Sequence, residues 1–408
     1  MIAPPQFTFF SLTSSLGQLT ALAGTVLFAL SFLLATRARW TEWLFGSLDR
    51  AYIAHHAFGG IAFILLLFHP LLAALSYMVF SFRLALQLLI PTLQDVPILL
   101  GILALLSMIV FLVITFYFFR SFRYQRWKLI HQLLGVSMAL GMLHALLTPN
   151  DVFFRSPFLK DYMVGVMSLG LIAFLYRVVL GMWLVRRVPY TVQAVRQLPS
   201  QVTEIVLKAV GHGVQFMPGQ FVFASFSGRV GTEWHPFSIS SDPAMPQIHL
   251  SAKGLGDYTK SLATLQPGSI ARLEGPYGSF TYLKYGSRQV WIAGGIGITP
   301  FLSMARALDP QAAYQIDLLY SVRTHADTVY DQELADIAKV KPNLRYHLWI
   351  TERDGFLTAN EASKRVESLV EAEVLLCGPQ IMMTALTAQL RAEGLTRSRI
   401  HFEQFALQ

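Results

Sequence analysis

Four histidines recur at nearly equal spacing in two hydrophobic stretches. His55 and His69 are 14 residues apart in a stretch without a formally charged side chain, and His131 and His144 are 13 apart in a second such stretch. Histidine is costly inside a bilayer, so its presence there indicates function. Two helices with two histidines each can hold two stacked haems, each iron bound by one histidine from either helix. Packing or hydrogen bonding is the alternative role for a single histidine of this kind.

The spacing also sets a geometric condition on each helix. Fourteen residues span about 21 Å of helix and leave the side chains of His55 and His69 about 40° apart. Thirteen residues would place His131 and His144 about 140° apart, so their helix needs a π-bulge or a bend. Gly135 and Gly141 are the candidate positions. His56 competes with His55 as a ligand, and the angular spacing favours His55.

A glycine cluster lies between a predicted strand and a predicted helix. Gly294, Gly295 and Gly297 precede Thr299 in the sequence GGIGITP. Glycines allow the backbone to approach a pyrophosphate, and a helix start offers free N–H groups. An ordinary tight turn is the alternative. After the next strand, Ser321 and Arg323 suit the 2′-phosphate of NADPH, because an acidic residue there would suit the free ribose of NADH. A surface arginine is the other interpretation of Arg323, and NADH remains open as donor.

Three further stretches could contact a cofactor. The sequence HPFSISS over residues 235–241 places an aromatic ring beside hydroxyl groups, a combination that suits a flavin although an ordinary strand can look the same. The sequences GPYG over 275–278 and Cys377-Gly378-Pro379 lie at strand ends, where ligands collect in such sheets.

The distribution of charge separates a membrane part from a soluble part. The 408 residues are 54% hydrophobic, no charged residue precedes Arg37, and charges are frequent after Arg186. Five hydrophobic spans are expected, at about 16–35, 51–80, 96–119, 129–147 and 162–185, each long enough to cross a lipid bilayer. Basic loops follow the first, third and fifth spans. We therefore expect a multi-pass protein of a bacterial-type plasma membrane, with the amino terminus outside and the soluble domains in the cytoplasm.

The remaining composition excludes several classes of protein. Cys377 is the single cysteine, which rules out an intramolecular disulfide and a four-cysteine iron–sulfur cluster. The net charge of +8 is explained by the basic loops, so nucleic-acid binding is not expected. No calcium-binding loop or docking domain is visible, and we expect no obligate activator.

The soluble part shows two successive patterns. Short alternating strands with turn signals predict an antiparallel β-barrel over 188–286. Strand–helix alternation then predicts an α/β doubly wound nucleotide-binding domain over 287–408. Residues 1–187 form the predicted membrane α-helical bundle of five spans.

Together these motifs resemble the ferric reductase and NADPH oxidase superfamily over nearly the whole chain. The sequence Leu48-Asp49-Arg50 before the first histidine helix is also similar to that family. The resemblance implies two haem b groups, FAD and NADPH, with electrons passed to an acceptor on the outer side. Molecular oxygen, giving superoxide, is the expected acceptor. A ferric chelate or a periplasmic protein partner are the alternatives.

The resemblance also assigns roles to individual residues. It implies that Phe237 contacts the isoalloxazine, that Ser238 lies near the reactive flavin nitrogen, that Cys377 lies near the nicotinamide and that Phe405 covers the flavin. Ser238, Cys377 and Phe405 are thus the expected catalytic residues. The expected cofactor-binding set consists of His235, Pro236, Phe237, Ser238 and Ser240 for FAD, Lys253, Gly256 and Thr259 for its pyrophosphate, and Gly294, Gly295, Gly297, Thr299, Ser321, Arg323, Cys377, Gly378 and Pro379 for the nucleotide, with Phe405.

The chain departs from the animal oxidases in two places. Those oxidases have six spans, and they carry a further histidine one turn beyond the outer ligand, where this chain has Ala73. No basic residue lies in the outer half of the first span, where they place an arginine near the oxygen site.

Overall fold

The chain folds as two units, one ending at Val185 and the other beginning at Arg186. The structure is a computed structural model that describes residues 8–117, 124–148, 156–228, 230–367 and 369–403. The first unit is helical, and the second contains both sheets.

Over the described residues, five helical segments of the first unit are long and apolar enough to cross a membrane, which confirms the predicted number. These segments are Phe9–Leu34, Leu48–Tyr77, Val96–Phe116, Arg126–Leu147 and Pro157–Val179. In chain order the helices are α1 (Phe9–Leu34), α2 (Arg39–Phe45), α3 (Leu48–Tyr77), α4 (Phe82–Leu89), α5 (Val96–Tyr117), α6 (Tyr124–Gln132), α7 (Leu134–Leu147), α8 (Pro157–Phe174) and α9 (Gly181–Leu184). A π-helical turn, Leu175–Val179, follows α8. The first span begins earlier than predicted, because the Thr8 hydroxyl accepts a hydrogen bond from the amide of Ser11 and caps α1 at its start.

Small residues let the long helices approach closely. α1 packs along α3 and α5 packs along α7. Ala29 and Ala62 are fully buried, and a Cβ atom added at Gly170 would lie 2.9 Å from Ala29. Close backbone approach is the usual basis of helix packing in a membrane, where burial of apolar groups supplies little driving force.

The fourth span is broken, as the 13-residue histidine spacing requires. α6 and α7 are separated at Leu133, so the break lies between His131 and His144 but at neither predicted glycine. Gly135 has a different reason to be glycine: an added Cβ would lie 2.3 Å from the ring of Phe174 on α8. Open space surrounds Gly141.

The predicted antiparallel barrel is confirmed as a six-stranded sheet. Its strands are β1 (Val188–Leu198), β2 (Val202–Ala209), β3 (Phe221–Phe226), β4 (His235–Ser238), β5 (Gln247–Lys253) and β6 (Ile270–Tyr277), with the short helix α10 (Asp257–Ser261) after β5. The order is β4-β3-β6-β1-β2-β5, and a bridge between Ile239 and Leu250 joins the two edges. The sequence GPYG over 275–278, predicted to lie at a strand end, does so at the end of β6, which lies between β3 and β1.

The predicted parallel sheet is also confirmed, with five strands in the order β11-β10-β7-β8-β9. The strands are β7 (Arg288–Gly294), β8 (Gln315–Val322), β9 (Leu344–Ile350), β10 (Glu373–Cys377) and β11 (Ile400–Glu403), and the helices are α11 (Ile298–Ala307), α12 (Asp331–Val340), α13 (Thr351–Asp354), α14 (Ala359–Ser363) and α15 (Gln380–Ala392). Adjacent residues of β7 are buried in different clusters on the two faces of the sheet: Trp291 packs with Phe301 of α11, and Ile292 is in one cluster with Leu386 of α15. The strand order reverses between β7 and β10, and ligands bind at the carboxyl ends of strands at such a point.

Candidate functional site

The helical unit brings the four histidines together as two facing pairs. The rings of His55 and His131 have centres 6.0 Å apart, and those of His69 and His144 have centres 6.4 Å apart. Two imidazoles on opposite sides of one metal ion have centres about 6.4 Å apart, since the metal–nitrogen bond is ~2.0 Å and the ring centre lies ~1.2 Å beyond the nitrogen. Both pairs therefore have the spacing of axial ligands on one iron.

Hydrogen bonds orient three of the four imidazole rings. Their Nδ1 atoms donate to backbone carbonyls: His55 to Ser31 at 2.8 Å, His69 to Gly17 at 2.9 Å and His144 to Pro97 at 2.8 Å. A carbonyl can only accept, so Nδ1 carries the proton and Nε2 keeps its lone pair. This is the tautomer that a metal-binding histidine with an outer hydrogen-bond partner adopts.

The fourth histidine is held differently. Nδ1 of His131 is buried and has no hydrogen-bond partner among the described residues. Its ring stacks on Trp127, with centres 5.5 Å apart and planes 6° from parallel, and the Trp127 indole donates to the carbonyl of Thr115. His131 pairs with His55, whereas the His56 side chain is exposed. His55 as the ligand stays a prediction, and this arrangement favours it over His56.

A cavity of about 600 Å³ surrounds the pair formed by His69 and His144. Its lining is mostly apolar, and Asp95 is the single formally charged residue among the described lining residues. Gly101 faces the cavity so closely that an added Cβ would lie 2.8 Å from Nδ1 of His144. A large apolar cavity lined by two imidazoles with ring centres 6.4 Å apart fits a haem group.

In the second unit, the predicted nucleotide residues meet at the reversal of strand order. The glycine turn after β7 packs on the turn after β10: a Cβ at Gly297 would lie 2.4 Å from the carbonyl oxygen of Cys377, and one at Gly294 would lie 2.8 Å from Pro379. Gly295 has a φ of +54°, which favours glycine. The turn therefore needs its glycines, and it leads directly into the start of α11, the kind of position that binds a pyrophosphate.

Three residues predicted to bind the nucleotide, Thr299, Ser321 and Arg323, differ in whether their side chains are accessible to a ligand. The hydroxyl of Thr299 donates to the carbonyl of Ile296, so it stabilises the turn itself. Ser321 is buried at the end of β8, whereas the Arg323 side chain is 81% exposed and its Nε lies 3.3 Å from a Glu352 carboxylate oxygen. Arg323 is thus accessible to a phosphate, which would compete with Glu352 for the guanidinium.

Cys377 is fully buried at the end of β10. Burial, together with the nearby carboxylate of Glu403, raises the pKa of the Cys377 thiol well above its ordinary value. The thiol therefore stays protonated, and its contribution is that of a small neutral side chain in the wall of the site.

The flavin stretch divides its side chains between two faces of β4. The Ser238 hydroxyl is buried and has no hydrogen-bond partner among the described residues, so it can serve a bound group. Phe237 is only 5% exposed and packs on Phe226 inside the barrel. The expectation that Phe237 contacts the isoalloxazine does not agree with this placement, because successive residues of a strand point to opposite faces and Phe237 points into the barrel core. Pro236 and Ser238 share the other face.

The two predicted parts of the flavin site lie next to each other. His235 stacks on Tyr258 with ring centres 3.8 Å apart, and Tyr258 is in α10 between Gly256 and Thr259. The Thr259 hydroxyl accepts from the Gly256 amide and stabilises this turn. Lys253 ends β5 and is half-buried.

The remaining two residues predicted for the flavin site are Ser240 and Phe405. The Ser240 hydroxyl donates to the carbonyl of His249, so it is used within the protein. Phe405 lies outside the described residues, and its stacking on the flavin stays a prediction.

Sequence reasoning missed Trp127, Gly101 and Tyr258. Trp127 lies four residues before His131, a spacing that places both on one helix face and could have been recognised. The approach of Gly101 to His144 depends on how α5 packs against α7, and no local sequence pattern predicts it.

Family models match three successive segments of the chain. Residues 20–142 match the "Ferric reductase like transmembrane component", 187–281 match an "FAD-binding domain" and 291–388 match an "Oxidoreductase NAD-binding domain". Three of the four paired histidines lie inside the first match, and His144 lies two residues beyond its end.

The relatives each match about half of the chain. The glycine betaine monooxygenase reductase component of Chromohalobacter salexigens is 30% identical over 206 residues, 47% of this chain and 56% of that protein. A superoxide-generating NADPH oxidase heavy chain of Dictyostelium discoideum is 28% identical over 209 residues, 44% of this chain and 27% of that protein. The chain thus spans little more than half the length of the first relative.

One solved structure is similar along most of the chain. A flavohemoglobin from Malassezia yamatoensis, with bound FAD and heme, aligns with a TM-score of 0.55 and 17% identity, over 97% of this chain and 98% of its own. At that identity the likeness concerns the fold. The chain contains the three family matches in this order. Their combination matches the ferric reductase and NADPH oxidase superfamily.

Proposed function

We propose that this chain carries electrons across a membrane, from cytoplasmic NADPH through FAD and two b-type haems to molecular oxygen on the outer side. The observation that carries the proposal is the presence of two imidazole pairs, with ring centres 6.0 and 6.4 Å apart, on a chain that also has flavin and nucleotide domains. When bound, the flavin accepts two electrons at once and the irons carry them singly, which is chemistry that side chains do not supply.

The residues of the chain bind and orient these groups. His55 with His131, and His69 with His144, would hold one iron each, and the carbonyl partners of Nδ1 keep the rings in place. The Gly294–Gly297 turn would hold the nucleotide pyrophosphate, and Ser238 would donate to the flavin through its unpartnered hydroxyl.

The side of the membrane follows from the basic loops. Arg37 and Arg39 follow α1, and Arg186 and Arg187 follow α9, so these ends lie in the cytoplasm by the positive-inside rule. The pair His55–His131 would then be the inner haem site and His69–His144 the outer one. Domain limits of 1–187, 188–286 and 287–408 belong to this proposal.

The cavity at His69 and His144, which would hold the outer haem, favours a small neutral acceptor beside that haem. Its lining is mostly apolar, which suits oxygen better than a charged chelate. Ala73 is also among its lining residues, at the position where the resemblance implies a histidine in the animal oxidases. That difference favours the second candidate, reduction of a ferric chelate, and a periplasmic protein partner is the third.

Purified protein in detergent with NADPH distinguishes these acceptors. Superoxide-dismutase-sensitive reduction of cytochrome c supports oxygen. Anaerobic reduction of an Fe(III) chelate without superoxide supports the ferric reductase, and neither activity supports a protein partner. Pyridine haemochrome analysis should give two haems per chain. A value of one, with His69→Ala and His144→Ala spectrally silent, would contradict the two-haem arrangement.

A further inference from the structure

A buried polar contact joins the barrel and the parallel sheet through α11. The Ser303 hydroxyl donates to the carbonyl of Ser241 at 2.7 Å, and Nη1 of Arg306 donates to the carbonyl of Ser240 at 2.7 Å. Ser303 is fully buried and lies three residues before Arg306, so both side chains are on one face of α11. We call these two hydrogen bonds the α11 contact.

Each side of the α11 contact lies next to a proposed cofactor site. α11 follows directly after the Gly294–Gly297 turn, whereas Ser240 and Ser241 follow directly after β4, which ends at Ser238. The barrel side is itself fixed, because the Ser240 amide donates to the carbonyl of His249 at 2.9 Å. One short helix therefore connects the nucleotide turn to the flavin strand.

Other contacts hold the far end of α11 in place. The guanidinium of Arg306 makes two further hydrogen bonds to the Glu333 carboxylate, at 2.7 and 2.9 Å. Such a bidentate pair fixes the plane of the guanidinium and so the direction of its remaining donor. Lys341 Nζ donates to the carbonyls of Ala305, Arg306 and Leu308, at 2.9, 2.8 and 2.6 Å. These bonds satisfy carbonyls that a helix end leaves free.

We infer that Ser303 and Arg306 are positioning residues for hydride transfer, because they fix the nucleotide turn relative to the flavin strand. This inference rests on the proposed function, since it needs FAD at β4 and NADPH at the glycine turn. Hydride transfer moves one proton and two electrons from nicotinamide C4 to the flavin, giving NADP⁺ and FADH⁻, so no further reactant is needed. Its rate depends steeply on how the two reacting atoms are placed.

The test compares Ser303→Ala and Arg306→Gln with the wild type, all as full-length protein in detergent. Anaerobic stopped-flow mixing measures flavin reduction at saturating NADPH, and calorimetry measures the affinity for 2′,5′-ADP. Hydrogen–deuterium exchange reports the amides of residues 239–242. We expect flavin reduction to slow by about ten- to a hundredfold. FAD content and 2′,5′-ADP affinity should stay within about twofold, and exchange at 239–242 should increase, because each binding site is intact and only their relative position is released.

Matched controls are available within the same sheet domain. The Ser363 hydroxyl donates to the carbonyl of Asn360 inside α14, and Arg399 donates to the carbonyl of Val370. Neither bond reaches the barrel. Ser363→Ala and Arg399→Gln should therefore leave both the reduction rate and the exchange at 239–242 unchanged.

Ser303→Ala is the deciding variant, because it removes a single hydroxyl. Wild-type reduction rate together with unchanged exchange would overturn the inference. Loss of FAD or of the fold in Ser303→Ala would also overturn it, since the hydroxyl would then be structural. A wild-type protein whose flavin is not reduced by NADPH would instead contradict the proposed function itself.

Discussion

Replacement of Gly101 by alanine should damage the outer haem site alone. A Cβ at Gly101 would lie 2.8, 2.9 and 3.0 Å from three ring atoms of His144, closer than the 3.4 Å at which ordinary contact begins. The imidazole would have to retreat by about 0.6 Å, the difference between 2.8 and 3.4 Å. The ring is held by its hydrogen bond to the carbonyl of Pro97, so the displacement strains that bond or moves the imidazole away from the position in which we propose that it binds iron.

The expected size of the effect follows from this displacement. Disturbing the hydrogen-bond partner of a metal ligand costs about ten- to a hundredfold in metal affinity, or about 1.4–2.8 kcal/mol. The haem content of Gly101→Ala should therefore fall from two towards one per chain during purification. Alanine is favoured over glycine inside a helix by about 1 kcal/mol, so loss of the fold is not expected.

Pyridine haemochrome analysis and a potentiometric titration measure this outcome. Gly165→Ala is the matched control, because Gly165 lies inside α8, outside the lining of the cavity at His69 and His144, and an added Cβ there would meet nothing within 4 Å. It should keep two haems and both midpoint potentials. If Gly101→Ala also keeps two haems with unchanged potentials, or loses both haems together, the reasoning about His144 is refuted.

Three further predictions concern the soluble unit. Arg323→Ala should raise the NADPH KM about ten- to a hundredfold, the loss of a charged hydrogen bond worth about 1.5–3 kcal/mol, and leave the NADH KM nearly unchanged; equal effects on both nucleotides would contradict the role of Arg323. Burial alone would raise the pKa of Asp317, but hydrogen bonds from His347, Arg345 and Arg288 hold it at about 2, below the ordinary 3.8. The resulting stability, roughly 2 kcal/mol, is present above about pH 4 and lost as the pH falls towards 2, so denaturant unfolding of Asp317→Asn should show a flatter pH dependence there than the wild type. Phe405→Ser should keep both haems and weaken FAD retention, and unchanged FAD affinity and flavin reduction rate would rule out its stacking role.

The sequence alone predicted the parts of the molecule that depend on local pattern. Apolar length predicted five membrane spans, and the change from alternating strands to strand–helix repeats predicted the barrel followed by the parallel sheet. The histidine spacing also predicted a break between His131 and His144, since helix geometry relates residue number to direction. The break itself is at Leu133, whereas Gly135 lies inside α7 in close contact with the ring of Phe174.

Site residues whose direction depends on long-range pairing could not be predicted in the same way. Phe237 and Ser238 are adjacent in the sequence, and only the pairing of β4 with β3 decides which of them enters the barrel core. A shift of one residue in that register would exchange their faces.

The amino-acid sequence by itself determined which functional groups this protein has for binding cofactors, because residue types and helical spacing are local properties. It supplied imidazoles in pairs, glycines at a strand end and a hydroxyl at Ser238. The tertiary structure alone decided how these groups are oriented. The carbonyl partners of His55, His69 and His144 lie 24, 52 and 47 residues away, and Ser303 meets Ser241 across 62 residues. Such contacts exist only after distant segments have packed, and no local pattern encodes them.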